Sequence, residues 1–407
     1  MTGRFAAVAP ADLAGGEQLT RTRERALARF EAGPLPTDAD EIWRYSRVNE
    51  LVPGAWSPAA RPTVLAPPEG IPPAEAVTVD GYIAAVADHR AARIERATAG
   101  IDTLSSQAQP WDAFVELNTA QAPEPLVIDV APGTVVDEPV VVVHWAGTGG
   151  SVIFPRVVVR AGQGASVTVV EHHLSADVRA WSDPVTELHV GDGAHVSHVT
   201  VQELGPTVWQ TGYLAARVGR DAVLRAATVA LGGDYARSRT DSTVEGTGGS
   251  AELAALYCGS GAQMHDFRTL QDHIGAKSYS DLLFKGAVVD EARSAYSGLI
   301  RVRRGAVGTH AFQTNRNLVL SDTGLATYSV PNLDIEENDV SCSHASATGP
   351  IDADQRFYLE SRGVPPEVAE GLIVLGFFDE VVERLPDGLR HHVRDVIRAK
   401  LRVAHLG

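Results

Sequence analysis

Between residues 162 and 251 one short pattern, a polar or glycine turn closing on alanine, returns four times. The copies are Gly162-Gln163-Gly164-Ala165, Gly191-Asp192-Gly193-Ala194, Gly219-Arg220-Asp221-Ala222 and Gly248-Gly249-Ser250-Ala251. Their alanines lie 29, 28 and 29 positions apart, and looser copies follow at Arg304-Gly305-Ala306 and Gly324-Leu325-Ala326. A fixed period of this size marks stacked structural units, each burying its apolar face against the next. The text between the turns (LVIDV, PVVVVHWA, SVIFPRVVVRA, ASVTVVEHH) is short runs of Val, Ile and Thr broken by Gly and Asp. That is strand texture, with side chains alternating between two faces. No helices of normal length alternate with these strands, which argues against a parallel sheet of strand–helix–strand units. The expectation is a mainly β chain whose core, residues 125–349, is a solenoid with small residues at its corners. A β-sandwich with chance spacing is the alternative.

Helical text flanks this core. Residues 16–30, GEQLTRTRERALARF, can place Leu19, Ala26, Leu27 and Phe30 on one stripe, and Gly33-Pro34 stops the helix. Ile42-Trp43-Arg44-Tyr45 reads as a short aromatic helix, and the Pro-rich residues 52–75 as an extended connector. Residues 1–75 thus form an N-terminal helical segment and linker. Residues 76–124 form a mixed connection, with a strand at Val77-Thr78-Val79 and a short helix over 111–119. Residues 350–407 read as a C-terminal helical domain. Asp352, with Gln355, caps a helix over 353–361 that Gly363 ends. Pro365-Pro366 opens a second over 367–385, with Val368, Leu372, Ile373, Leu375, Val381 and Val382 at helical spacing, and a third spans 388–404. A tail with this much apolar surface packs back on the body or docks a partner.

Composition narrows the partners. With 407 residues, 44% apolar and 21% charged, the chain is globular and can bury a sizeable core. Its net charge of −16 counts against nucleic acid or an anionic membrane, both of which demand a basic face. Cys258 and Cys342 alone cannot make a disulfide framework, and no apolar run reaches the length of a membrane span. A cytoplasmic protein is expected.

Nucleotide chemistry finds no motif. Gly275-Ala276-Lys277-Ser278 lacks the Gly-Lys pair and upstream glycine of a phosphate loop, and no dinucleotide fingerprint or nucleophile elbow is present. Any ATP use belongs to a partner. His172, His173, His189, His195 and His198 cluster in sequence, but His195 and His198, three apart, face opposite sides of a flat strand. Surface or partly buried histidines are expected there rather than a metal site. Cys258, in an apolar strand, reads as a core filler. Cys342 and His344 are separated by one residue and so share a strand face, where thiolate and imidazole suit iron, zinc or sulfur chemistry. Two ligands do not complete a site; a buried cysteine beside a hydrogen-bonded histidine is the structural alternative.

The C-terminal text carries a resemblance. Residues 342–349 (CSHASATG) and 354–363 (DQRFYLESRG), with Ser280 to Gly286 (SDLLFKG), Thr314-Asn315-Arg316-Asn317-Leu318, 329–335 (SVPNLDI) and Gly376-Phe377-Phe378, resemble the SufB/SufD family of iron–sulfur cluster assembly proteins. The likeness is specific over 265–385 and closer to SufD, because SufB members carry a Glu-His-Glu type text where this chain has Cys-Ser-His. It implies a right-handed parallel β-helix between helical ends and a non-catalytic scaffold. It also implies a heterodimer with a SufB-like subunit and a SufC-like ATPase docked on the C-terminal helices, around Tyr358, Arg362, Phe377 and Phe378. A transient iron–sulfur cluster would form at the SufB interface, with His344 as metal ligand and Cys342 beside it. After His344 this chain has Ala345-Ser346-Ala347-Thr348 where SufD more often has Gly-Ala-Thr, which leaves His344 in place. A SufD-like homodimer is one rival reading. A β-helix enzyme acting on polysaccharide, using Asp192, Asp221 and Asp290, is another.

Overall fold

The computed structural model describes residues 5–98, 108, 111–320 and 327–403. The looser repeat copy at Gly324-Leu325-Ala326 and the expected helix end at Ala404 lie outside them. From Leu126 to Gly349 the chain winds as a β-solenoid of about eight turns, each turn giving one strand to each of two sheets. One sheet runs from Arg93–Arg96 and Leu126–Val130 to Thr327–Ile335, the other from Tyr82–Val86 and Ala76–Val79 to Val340–Gly349. Successive turns pair in parallel, whereas the two outermost starting strands pair antiparallel.

The repeat is real, with one slip. The N–H groups of Ala165, Ala194 and Gly249 close equivalent turns on the carbonyls of Gly162, Gly191 and Gly246, at 3.0, 2.9 and 3.2 Å. Val223 pairs with Ser250, so Gly249, not Ala251, is the counterpart of Ala222. A Cβ on Gly249 would lie 2.8 Å from both the Gly219 carbonyl and Val244. The corner there is too tight even for alanine.

Period-two alternation sends Val140, Val142, Val157, Val159, Val169 and Leu188 into one apolar bore. The side chains between them point outward and are also covered. α1 (Glu17–Ala32) and α2 (Ala113–Gln121) lie over the first turns. α3 (Ala353–Ser361), α4 (Pro366–Val382) and α5 (Asp387–Val403) form the tail. Val374 and Phe378 of α4 and Val393 and Ile397 of α5 pack on the outward Val170, Val199, Val201 and Cys258. Lys285 pins α4 through Glu380 at 2.6 Å and the Phe377 carbonyl at 2.9 Å. Asp352 caps α3 by accepting from the Asp354 and Gln355 N–H groups. Among the described residues no helix is long and apolar enough to cross a membrane.

Two local expectations change. The 42–45 segment makes a single 3-10 turn, Glu41–Trp43: Trp43 is buried, while Tyr45 takes φ 66° and stacks flat on Tyr328 with ring centroids 4.2 Å apart. In α4 the inward stripe is Ala369, Val374, Phe378 and Val381, which leaves Val368 and Leu372 exposed.

Candidate functional site

The last turn of the solenoid is bare. Among the described residues, Thr327–Ile335 and Val340–Gly349 end their sheets, each paired on one side only. Cys342 lies opposite Ala311 and His344 opposite Gln313. Ala311 belongs to the interior cluster that also holds Ile300 and Val302, and Cys342 packs against it, so Cys342 and His344 both face the bore. Cys342 is half-buried and His344 exposed. Beneath His344, Gln313 is buried with no hydrogen-bond partner for either side-chain amide atom among the described residues. Burial pushes the Cys342 thiol up, against a lowering hydrogen bond from the Ala311 backbone. It is protonated at neutral pH, and binding a soft metal requires loss of that proton.

Next along the same face, Ser346 donates a 2.8 Å hydrogen bond across the bore to Ser329. Leu333 and Ile335 are 38% and 41% exposed, although Ile300 and Val302, opposite them one turn back, are fully buried. An apolar inner face is thus left open around a thiol and an imidazole.

The tail residues divide. Phe357 (72% exposed), Tyr358 and Arg362 stand on the surface, with the Arg362 guanidinium 5.2 Å from the Tyr358 ring centroid. Phe377 is half-buried. Phe378 departs from its expected surface role: it is wholly buried against the solenoid and holds α4 in place.

The histidines are more buried than their surface-like sequence context suggests, because both faces of these strands are covered. His195 is exposed and His198 points inward, the opposite facing that their spacing requires. In the bore, Glu171 accepts from or bonds His198 Nε2 at 2.6 Å, His144 Nε2 at 3.0 Å and the Thr186 hydroxyl at 2.8 Å. Burial alone would raise Glu171, but the His144 and His198 hydrogen bonds hold it well below the usual carboxylate range. His173 is pushed down to about 3 by burial. This is a closed network whose carboxylate oxygens are already engaged. The sequence signal for it was the Glu171-His172-His173 run, which inward–outward alternation splits between two faces.

Two other candidates are structural. Asp221 and Asp290 hold left-handed turns at φ 51° and 56°, and Asp192 accepts the Arg220 N–H at 2.9 Å. A cavity of about 550 Å³ beside residues 34–43 is lined by Arg239, Arg268 and Arg301. Those arginines are paired with Asp241, Asp266 and Asp334.

This fold and bare end define a class. Residues 144–377 match the model of the SUF system FeS cluster assembly, SufBD core domain, and the chain belongs to the SufB/SufD family. Within it the chain is most like SufD. It is 34% identical over 393 residues to an iron–sulfur cluster assembly SufBD family protein of Mycobacterium tuberculosis, covering 93% of this chain and 92% of that one. It is 32% identical to SufD of Bacillus subtilis (66% of this chain, 62% of that one) and 27% identical to SufD of Escherichia coli (88% of each). Membership supports a role in iron–sulfur cluster assembly.

Proposed function

We propose that this chain is a non-catalytic, SufD-like scaffold subunit that closes its bare last turn against a SufB-like subunit. One observation carries the reading. Leu333 and Ile335 face the bore yet lie open beside His344, and a stable protein covers such an apolar edge with another chain. A nascent cluster assembles at that junction as cargo, with His344 as ligand and Cys342 its neighbour. The site is half made by each subunit.

The tail serves a second partner. Phe357, Tyr358, Arg362 and the edge of Phe377 present an aromatic and cationic surface suited to a SufC-like ATPase, which supplies the nucleotide hydrolysis for which this chain has no motif. ATP-driven movement of that subunit shifts the tail and opens the junction. The complex is cytoplasmic.

Co-expression with SufB-like and SufC-like subunits, then anaerobic reconstitution with His344→Ala, tests this. The expected result is an intact complex that no longer builds a cluster. Undiminished cluster formation removes the ligand role, and a stable homodimer that never takes up the SufB-like subunit removes the pairing.

A further inference from the structure

Where α5 crosses the solenoid, three potential metal ligands from three separate elements meet. His172 and Glu203 point outward from the neighbouring strands Ser166–Ser175 and His195–Glu203. His172 pairs with Val201, which puts Glu203 one pleat further along the same face. α5 seats its Val393, Ile397 and Leu401 stripe on that face, and His392, beside Val393, reaches the Glu203 carboxylate at 3.0 Å through Nε2. One ligand atom from each of His172, Glu203 and His392 lies within 4.8 Å of the others.

The residues are poorly explained as a salt-bridged surface. His172 is only 4% exposed, and its Nδ1 has no hydrogen-bond partner among the described residues. A neutral imidazole carries a lone pair on one ring nitrogen, which is what a metal ion takes up. Glu203 and His392 are partly exposed, at 21% and 44% of their side chains. An ion can therefore enter from solvent, and water can complete its shell.

We infer that His172, Glu203 and His392 form a binding site for a first-row divalent cation, Fe(II) in the first place, that bridges the solenoid and its C-terminal helix. Two imidazoles and one carboxylate with open positions suit Fe(II), Co(II) and Zn(II); Mg(II) and Ca(II) prefer all-oxygen sets. Ligands around one such ion stand roughly 3 to 3.5 Å apart, so the widest pair closes by up to about 1.3 to 1.8 Å on binding. Because His392 rides on α5 and the other two do not, that closure tightens the helix on the body. On the reading that the tail docks an ATPase, metal occupancy and docking are then reciprocally linked. The site itself does not depend on that reading.

The test uses the full chain, stripped with chelator and titrated anaerobically with Co(II). One equivalent with d–d absorption is expected. Affinity falls ~tenfold or more in both His392→Ala and Glu203→Gln, with His344→Ala and Glu171→Gln unchanged. Hydrogen exchange in α5 slows when Zn(II) is added to the wild type and not to His392→Ala. His392 is partly exposed, so its removal leaves the fold intact. No Co(II) band, a band indifferent to His392→Ala, or one lost in His344→Ala overturns the assignment. Failure to recruit a partner subunit leaves this result untouched.

Discussion

At its first turn the solenoid is closed on several sides, whereas at its last turn it stops. The starting strands Tyr82–Val86 and Arg93–Arg96 fold back antiparallel on the two sheets. α2, every residue of it buried, lies over the first turns, with Arg29 of α1 gripping its Glu116 at 2.8 and 2.7 Å. Among the described residues the final strands carry no such cover: their backbone edge is unpaired, and the bore-facing Leu333 and Ile335 lie half-open to solvent. The bores differ too. The first turns are filled by Leu126, Ile128, Val140 and Val142, with buried polar groups drawn into the closed Glu171–His144–His198 network. The later ones hold a polar ladder in which His273 bonds Ser278 and Ser280, each at 2.8 Å, and Ser278 bonds Thr309 at 2.9 Å. One end is closed by its own chain; on the proposed reading the other is finished by a second chain.

Acid loads the later turns most: His173 of the second turn is also pushed down to about 3, but Met264–His273 carries two such histidines. Burial pushes His265 down to about 3 and His273 to about 4, below the unfolded value near 6.5. Between those values the unfolded chain takes up protons that the folded chain refuses, so stability is lost as pH falls through about 6.5. At pH 5 each histidine costs about 2 kcal/mol, together about 4 kcal/mol. Urea midpoints should drop from pH 7.5 to 5, with exchange rising in Met264–His273 before Leu126–Val130. A flat midpoint removes the polar-bore contrast.

The same truncation at the two ends is the next largest test. Leu126 is fully buried, so Leu126→Ala should cost about 3 kcal/mol of stability. Leu333→Ala, at a 38% exposed side chain, should cost under about 1 kcal/mol in the isolated chain but weaken a complex with the SufB-like subunit. Equal losses in the isolated chain would mean that the last turn is as well packed as the first.

Much of this contrast was legible in the sequence, and the illegible part has physical causes. The repeat gave the solenoid because corner geometry admits only small residues, and the same constraint put Gly249 where counting alanines pointed to Ala251. Cys342 and His344 shared a face by strand alternation alone. Their bareness was not readable, since the strand text of the last turn looks like that of any covered turn. The His172–Glu203–His392 group was equally hidden: it joins residues up to 220 positions apart through the seat of α5, which no local pattern encodes.

The smallest effect asks whether the two ends are independent. The N-terminal segment runs along the outer face toward the bare end: Arg47 pairs with Asp234 at 2.7 Å, Arg268 donates to the Arg44 carbonyl at 2.6 Å, and Tyr45 stacks on Tyr328 of the last turn. Tyr45 pays for that stack with its positive φ, a cost of about 1 to 2 kcal/mol for a residue with a Cβ. The stack returns about 0.5 to 1.5 kcal/mol beyond its buried area. Tyr45→Ala keeps the strain and loses the stack, so it should destabilise by about 1 kcal/mol, while Tyr45→Gly loses both and should be near neutral. Hydrogen exchange in Thr327–Ile335 should rise in both variants. If it rises with no change in Leu126–Val130, the N-terminal segment braces the open end until a partner covers it. If Thr327–Ile335 does not respond, the last turn holds its shape without help, and the bare edge is stable enough to wait for its partner alone.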